Sequence, residues 1–231
     1  MRRMRAQPRG ACVLPLQGSL REGRVWFREG LLHGFMDAEA TVVVPPRYEY
    51  VDSYREGRAW VRHGGRDGFI DLDGREVVPC VYEAVGPFAG ARAAVQDAGL
   101  WGYVDPTGRR AVPCQFLGAE AFLRGNARVV GPCGVGLVDP EGRMVVPCAW
   151  LDVSQRVGDG RVRVAQGSLR EADEVYACNG YVDLTGRVVI ACHYEHADDF
   201  EGGRARVTTR APGGVLRSFY IDPDGRELSP P

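Results

Sequence analysis

The aspartates that open tight turns recur at a fixed interval, and this period constrains the fold more than any other feature. The first four lie 34 residues apart, and the two later steps are 44 and 39 residues long. These residues are Asp37, Asp71, Asp105, Asp139, Asp183 and Asp222. A repeat of this length is typical of a stacked or ring-shaped array, in which each unit buries its apolar face only against its neighbours.

The sequence around each aspartate is repeated as well. The clearest copy begins at Tyr54 and contains an Arg-Ala-Trp-Val segment, a Gly-Phe-Ile-Asp segment and a Val-Val-Pro-Cys-Val-Tyr segment that ends at Tyr82. The period divides the chain into repeats at about 20–53, 54–87, 88–121, 122–156, 157–199 and 200–231. We therefore predict a single β-repeat domain over residues 20–231. An N-terminal segment, residues 1–19, precedes it and holds a possible half-repeat strand at Ala11–Pro15.

The turn that follows each aspartate has a recognisable chemistry. In the third repeat it reads Asp105-Pro106-Thr107-Gly108. An Asp at the first position accepts hydrogen bonds from nearby backbone N–H groups, Pro presets φ for a type I turn, and Gly takes the left-handed conformation. This combination predicts a β-hairpin closed by a type I turn and a glycine bulge.

The strand that leaves each hairpin is apolar on both faces. In the second repeat Val78, Cys80 and Tyr82 share one face, while Pro79 and Val81 lie on the other. The pattern predicts a strand that is covered on both sides. Because Pro lacks a backbone donor, we also expect this strand at a sheet edge or where strand pairing breaks off.

Aromatic residues occupy two fixed positions in the repeat, which predicts a repeating core. The first set is Tyr48, Tyr82, Phe116, Trp150 and Tyr194, and the second is Tyr54, Phe88, Phe122 and Phe200.

Short apolar runs bounded by Gly, Pro and Asp indicate strands, and no stretch shows helical spacing. We predict an all-β tandem array of about six 34-residue hairpin-plus-strand repeats that forms a curved or superhelical meander. A closed β-propeller is the alternative, although four-stranded propeller blades usually need about 40 residues or more.

The repeated motifs resemble the WG-repeat family of bacterial proteins, also called KWG repeats. The resemblance covers nearly the whole chain and rests on the pattern Trp-Gly-Tyr-Val-Asp-x-x-Gly at Trp101–Gly108, followed by Ala-Val-Pro. In other repeats Asp67, Val135 and Asn179 stand where the Trp would be. The resemblance implies a β-rich repeat domain, found alone or attached to other modules, with no common activity and no catalytic residues.

Composition narrows the possible partners and compartment. The net charge is −1, so no overall field attracts the chain to nucleic acid or to a membrane. The N-terminal residues include no apolar run long enough for a signal peptide, and no segment is long enough to span a membrane. We therefore expect a cytoplasmic location.

Four of the seven cysteines follow the repeat: Cys80, Cys114, Cys148 and Cys192. The sequence lacks the close Cys pairs that metal sites generally use. The four histidines fall at unrelated repeat positions, and there is no phosphate-binding or dinucleotide-binding loop. We therefore predict no catalytic, cofactor-binding or metal-binding residues, and we interpret the four cysteines as small core residues.

Two features are candidate partner-binding surfaces. The first is an insertion in the fifth repeat, which we interpret as a charged loop about ten residues longer than its counterparts. Its candidate residues are Leu169, Arg170, Glu171, Asp173, Val175 and Tyr176. The second is the row of arginines after the turn glycines, with Arg75, Arg109, Arg143 and Arg187 as secondary candidates. Local pairing with turn carboxylates is the alternative for this row.

These observations favour a non-catalytic repeat scaffold that mediates protein–protein interaction, with another protein as its partner. The alternative is a small-ligand binding protein, or an enzyme whose site is shared between repeats. That alternative predicts unlike polar residues converging at one place, and the sequence offers no such cluster.

Overall fold

The computed structural model describes residues 18–169, 175–211 and 213–229. All regular secondary structure in this part of the chain is β-strand, which confirms the predicted all-β class. The chain divides into two compact units, residues 1–81 and 82–231. The half-repeat strand predicted at Ala11–Pro15 lies outside the described residues.

The first unit contains two antiparallel sheets. Its strands are β1 (Val25–Glu29), β2 (Leu32–Met36), β3 (Val42–Tyr48), β4 (Tyr50–Val51), β5 (Arg58–His63), β6 (Arg66–Asp71) and β7 (Glu76–Tyr82). They are ordered β1-β2-β3 in one sheet and β4-β5-β6-β7 in the other.

The second unit contains four antiparallel sheets, of which three have four strands and the last has three. Its strands are β8 (Ala84–Val85), β9 (Ala93–Asp97), β10 (Leu100–Val104), β11 (Arg110–Phe116), β12 (Gly118–Ala119), β13 (Ala127–Gly131), β14 (Gly134–Val138), β15 (Met144–Trp150), β16 (Asp152–Gly158), β17 (Arg161–Leu169), β18 (Val175–Asp183), β19 (Val188–Tyr194), β20 (His196–Ala197), β21 (Ala205–Arg210) and β22 (Leu216–Ile221). The sheet orders are β8-β9-β10-β11, β12-β13-β14-β15, β16-β17-β18-β19 and β20-β21-β22.

A complete sheet therefore holds one leading strand, a hairpin and a seven-residue outgoing strand at its edge. Strands in the described residues pair with their neighbours along the chain, as in an open meander, and no pairing there closes a barrel or a propeller. The sheet of the second repeat begins at Tyr50, four residues before the repeat boundary that the sequence period indicates. The predicted tandem β-repeat class is confirmed.

The hairpin turn has the predicted geometry. In the third repeat the Gly108 N–H donates to the Asp105 carbonyl at 3.0 Å, and the Asp105 N–H donates to the Arg109 carbonyl at 2.9 Å. The Asp105 carboxylate accepts from the backbone N–H groups of Thr107 and Arg109 at 2.9 and 3.1 Å. Gly108 has φ 84°, in the left-handed region that favours glycine.

A second glycine is required by close approach of two strands. A Cβ atom on Gly102 would lie 2.5 Å from the Val112 carbonyl oxygen and 2.7 Å from the Cys114 nitrogen. The register between β10 and β11 shifts at this point, so the outgoing strand bulges over Gly102. Pro113 lies in the bulge, on an edge strand, where its missing N–H interrupts no regular ladder. The predicted placement of the strand proline is confirmed.

The expectation that both faces of the outgoing strand are covered is wrong. In β7, Val78 and Tyr82 are buried, whereas Pro79 and Val81 are exposed, Val81 by 55%. Pro79 and Val81 are open to solvent because β7 is the edge strand of its sheet and bulges at the proline.

The two sets of aromatic residues form the core, as predicted. Tyr54, Phe122 and Phe200 are at most 5% exposed, and so are Tyr48 and Tyr194. Tyr54, Phe122 and Phe200 of the second set each pack edge-to-face on an aromatic residue of the preceding hairpin. The ring pairs are Phe35 with Tyr54, Tyr103 with Phe122, and Tyr181 with Phe200, with centroids 4.9, 4.8 and 4.7 Å apart.

We predict that Gly108→Val destabilises the protein several times more than Asp105→Asn. A β-branched side chain at φ 84° costs about 3 kcal/mol. Asn keeps an acceptor for the turn N–H groups, and its cost should be about 1 kcal/mol. Chemical denaturation of the two variants measures the difference. Equal losses would mean that the turn does not depend on a left-handed glycine.

Candidate interaction surfaces

The arginines that follow the turn glycines fall into two groups according to the third turn residue. Where that residue is acidic, the arginine pairs locally. Arg75 forms an ion pair with Asp73, and Arg143 lies 2.6 Å from Asp139 and 3.1 Å from Glu141. These exposed pairs are worth little stability, but they engage the guanidinium groups within the turn. For Arg75 and Arg143 the local-pairing alternative therefore accounts for the arginine.

Where the third turn residue is threonine, the arginine is left without an ion pair in the described residues. The hydroxyls of Thr107 and Thr185 donate to Asp105 and Asp183 at 2.6 Å. These bonds stabilise the carboxylates, and they lower the pKa of each aspartate. The corresponding arginines, Arg109 and Arg187, are exposed. In this row, Arg109 and Arg187 are thus exposed and form no ion pair within the described residues.

A second row of arginines, at the start of the repeats, joins one repeat to the next. In three of these arginines the Nε–H donates across the repeat boundary to the carbonyl of the second turn residue, at 2.9 or 3.0 Å. The donors and acceptors are Arg24 and Leu72, Arg92 and Pro140, and Arg161 and Pro223. This row therefore has a structural role, which sequence patterning could not separate from surface charge.

The turns beside these arginines add a further bond between repeats. Glu22 and Asp159 both have φ 49°, in the left-handed region. This conformation is uncommon for residues other than glycine, although aspartate adopts it more readily than glutamate. The Glu22 carboxylate accepts from the Gly57 N–H at 2.8 Å, and the Asp159 carboxylate accepts from the Gly203 N–H at the same distance. In these two turns the left-handed residue therefore also supplies a charge-assisted bond to the next repeat.

The cysteines in register are half-buried. The thiols of Cys80, Cys114 and Cys148 lie 3.7 to 4.0 Å from a carbonyl oxygen of the neighbouring hairpin. Burial raises the pKa of Cys80 and Cys192 to about 11, which keeps the thiols protonated at neutral pH. Within the described residues no group of His, Cys, Asp or Glu is placed to hold a metal ion.

The insertion of the fifth repeat lengthens a hairpin, and the expectation of a loop in its place is wrong for the part that is described. Strands β17 and β18 have nine residues each, against five in β13 and β14. Their antiparallel register continues through Gly167↔Ala177 to Leu169↔Val175. The extra residues are strand-forming, and backbone pairing extends the existing ladder.

Three of the candidate residues thus have a described backbone position: Leu169 ends β17, and Val175 and Tyr176 begin β18. The other three, Arg170, Glu171 and Asp173, lie outside the described residues.

Polar residues at the Trp position of the repeat form buried bonds that were not anticipated from the sequence. Asp67 is fully buried and accepts two bonds from Arg62, at 2.6 and 2.8 Å. Asn179 accepts from Arg163 at 3.0 Å and donates to the Glu195 carbonyl at 3.0 Å. The sequence feature that could have indicated these bonds is the polar residue at the position where the third repeat has Trp101. These bonds satisfy buried polar groups and serve the fold.

Clefts occur in both units. A cleft of about 270 Å³ in the first unit contacts Asp52 and Tyr54. A cleft in the second unit measures about 610 Å³ and lies beside the last sheet. It is lined by Arg156, Asp198, Asp199, Arg204, Arg206 and Tyr220, among others. One of its ion pairs joins Arg156 to Glu201 at 2.8 Å, so charges of both signs meet there.

Comparison with known protein families agrees with the β-repeat fold described above. The model of the WG-containing repeat matches residues 34–66, 68–101, 101–130 and 180–210, more than half of the chain. The chain belongs to the WG-containing repeat family. No curated protein sequence matches this WG-repeat protein. The described residues include no helix long and apolar enough to cross a membrane.

Solved structures that are similar to the WG-repeat chain are distant. A crystal structure of the eukaryotic initiation factor has 10% identity and a TM-score of 0.49, over 90% of this chain and 62% of that one. Puromycin hydrolase has 16% identity and a TM-score of 0.35, over 90% and 43%. A protein of unknown function from Bacteroides caccae has 14% identity and a TM-score of 0.26, over 87% and 89%. Similarities this weak transfer no function to the WG-repeat chain.

We predict that Cys80 and Cys192 react with iodoacetamide at pH 8 about tenfold more slowly than Cys133, because the thiolate is the nucleophile. Cys133 is exposed, and burial raises the pKa of the other two. Peptide mass mapping over time gives each rate, and raising the pH toward 11 should narrow the gap. Equal rates at pH 8 would contradict the structural role assigned to the cysteines.

Proposed function

We propose that this WG-repeat chain is a non-catalytic scaffold that binds another protein, and that the long hairpin of the fifth repeat is its main contact element. The supporting observation is the length of β17 and β18, which continue past the strand lengths of the neighbouring repeats. Elements that project beyond a rigid scaffold are where recognition residues are commonly placed.

Within the described residues, bonds between the fifth and sixth repeats arise at the inner end of this hairpin. Bonds that join the fifth repeat to the sixth include those from Arg161, at the base of β17, to the Pro223 carbonyl and from the Gly203 N–H to the Asp159 carboxylate. Farther out, Gln166, Gly167 and Ala177 are exposed. The outer part of the hairpin can therefore contact a partner protein. Its exposed backbone N–H and C=O groups could pair with an extended segment of that partner as an added strand.

The alternative of a ligand-binding or catalytic site finds less support. The four register cysteines are half-buried, and no described group of residues can hold a metal ion. Glu195, which lies between Tyr194 and His196, receives two bonds from Arg210 at 2.6 and 2.9 Å. A carboxylate held in this way is a structural acceptor and a poor general base.

The proposal is tested with a hairpin trimmed to the length found in the third repeat. Residues 167–177 are replaced by Ala-Gly, which is the turn that joins β9 to β10, where Ala98 and Gly99 have φ 50° and 76°. Gln166 and Cys178 then occupy the places of Asp97 and Leu100. Because the inner ladder is kept, we predict a nearly unchanged melting temperature.

Binding is measured in two steps. Proteins that co-purify with the intact chain are identified, and each is then produced pure and titrated against the intact and trimmed forms. The trimmed form should bind at least about tenfold more weakly, a loss of about 1.4 kcal/mol. The matched control is the double variant Arg109→Ser and Arg187→Ser, which alters the other candidate surface. Equal binding by the trimmed form would contradict the hairpin proposal, and loss of binding in the control would assign the partner to the arginine row.

A further inference from the structure

The contact between successive repeats has a fixed composition that can be followed along the chain. In the third repeat Tyr103 packs on Phe122, which opens the fourth, and its hydroxyl donates to the Glu120 carbonyl at 2.7 Å. In the fifth repeat Tyr181 packs on Phe200, and its hydroxyl donates to the Asp198 carbonyl at 2.6 Å. Tyr103 and Tyr181 are fully buried by these contacts.

The sixth repeat carries the same groups, Tyr220 and Arg204, on a surface that we call the donor face. Within the described residues no further repeat packs on it. Tyr220 precedes Asp222 by two residues, as Tyr103 precedes Asp105, yet it is 41% exposed. It lines the cleft of about 610 Å³ beside the last sheet. Arg204 stands at the position from which Arg161 bonds the next repeat, and its guanidinium lies 5.2 Å from the centroid of the Tyr220 ring. Both groups of the repeat contact are therefore presented to solvent.

The first repeat carries the complementary face. Leu20 occupies the place of the aromatic residue that opens the other repeats, and it is 55% exposed. Ala38, the second residue of the first turn, is also exposed and corresponds to Leu72, whose carbonyl accepts from Arg24. The donor face offers a tyrosine ring and an arginine N–H, so it needs an apolar side chain to pack on and a carbonyl to accept. Leu20 and Ala38 supply these two groups.

We propose that the last repeat of one molecule binds the first repeat of a second copy of this chain, head to tail. Tyr220 packs on Leu20 and donates to the Gly18 carbonyl, and Arg204 donates to the Ala38 carbonyl. The molecule bound at the donor face is a second copy of this chain, because the chain carries both the donor face and the complementary face of a contact that already recurs between its repeats. A heterologous contact of this kind joins copies into open chains or rings. The proposal is independent of the partner proposed for the fifth-repeat hairpin.

The test uses the purified chain alone. Analytical ultracentrifugation measures its association over a wide concentration range. Two variants each damage one face, Tyr220→Asp on the donor face and Leu20→Asp on the acceptor face. The control is Tyr50→Asp, which places the same charge on a tyrosine that is 44% exposed in the second sheet. Far-ultraviolet circular dichroism and melting curves establish that each variant is folded.

We expect concentration-dependent association of the intact chain and of the control. Each single-face variant should associate at least about tenfold more weakly. A mixture of the two variants should form dimers that stop at two copies, because each variant keeps one intact face. An intact chain that stays monomeric at every concentration would overturn the proposal. So would association that neither face variant weakens, or a mixture of the two variants that forms no dimer.

Discussion

The edge-to-face contact between the tyrosine or phenylalanine of one hairpin and the aromatic residue that opens the next repeat is the interaction on which the rest of the structure depends. A unit of about 34 residues cannot bury such a ring against its own small sheet. Tyr103 and Tyr181 are fully buried, and each packs edge-to-face on the aromatic residue that opens the next repeat, Phe122 or Phe200. The hydroxyl bond to a carbonyl two residues before that opening aromatic residue, Glu120 or Asp198, then satisfies the polar group of the buried tyrosine.

The recurring glycines and prolines place that aromatic contact. Gly102 lets the outgoing strand bulge close over the hairpin, and Pro113 occupies the bulge without loss of a ladder bond. Beside it, Arg92 and its counterparts fix the distance between repeats by bonding a turn carbonyl. With stability carried by these internal positions, the exposed positions are free to vary. The protein can therefore lengthen one hairpin without altering the repeat.

The sequence was sufficient to predict the features that local chemistry determines. The Asp-Pro-x-Gly turns, the edge proline and the aromatic core follow from φ preferences, missing donors and periodicity. Features that depend on contacts between repeats were not predictable in this way. The role of Arg92, the buried Arg62–Asp67 pair and the exposed face of β7 each depend on which groups meet across strands or repeats. The fifth-repeat insertion was located correctly, but strand pairing, which has no sharp sequence signal there, made it a hairpin extension.

A double-mutant cycle on Tyr103 and Phe122 tests the central claim most directly. Tyr103→Ala, Phe122→Ala and the double variant are compared with the intact chain by equilibrium denaturation. We predict that the two losses are not additive and that the coupling free energy is about 1 kcal/mol, as expected for an edge-to-face pair. A coupling energy indistinguishable from zero would contradict the claim that this aromatic contact joins one repeat to the next.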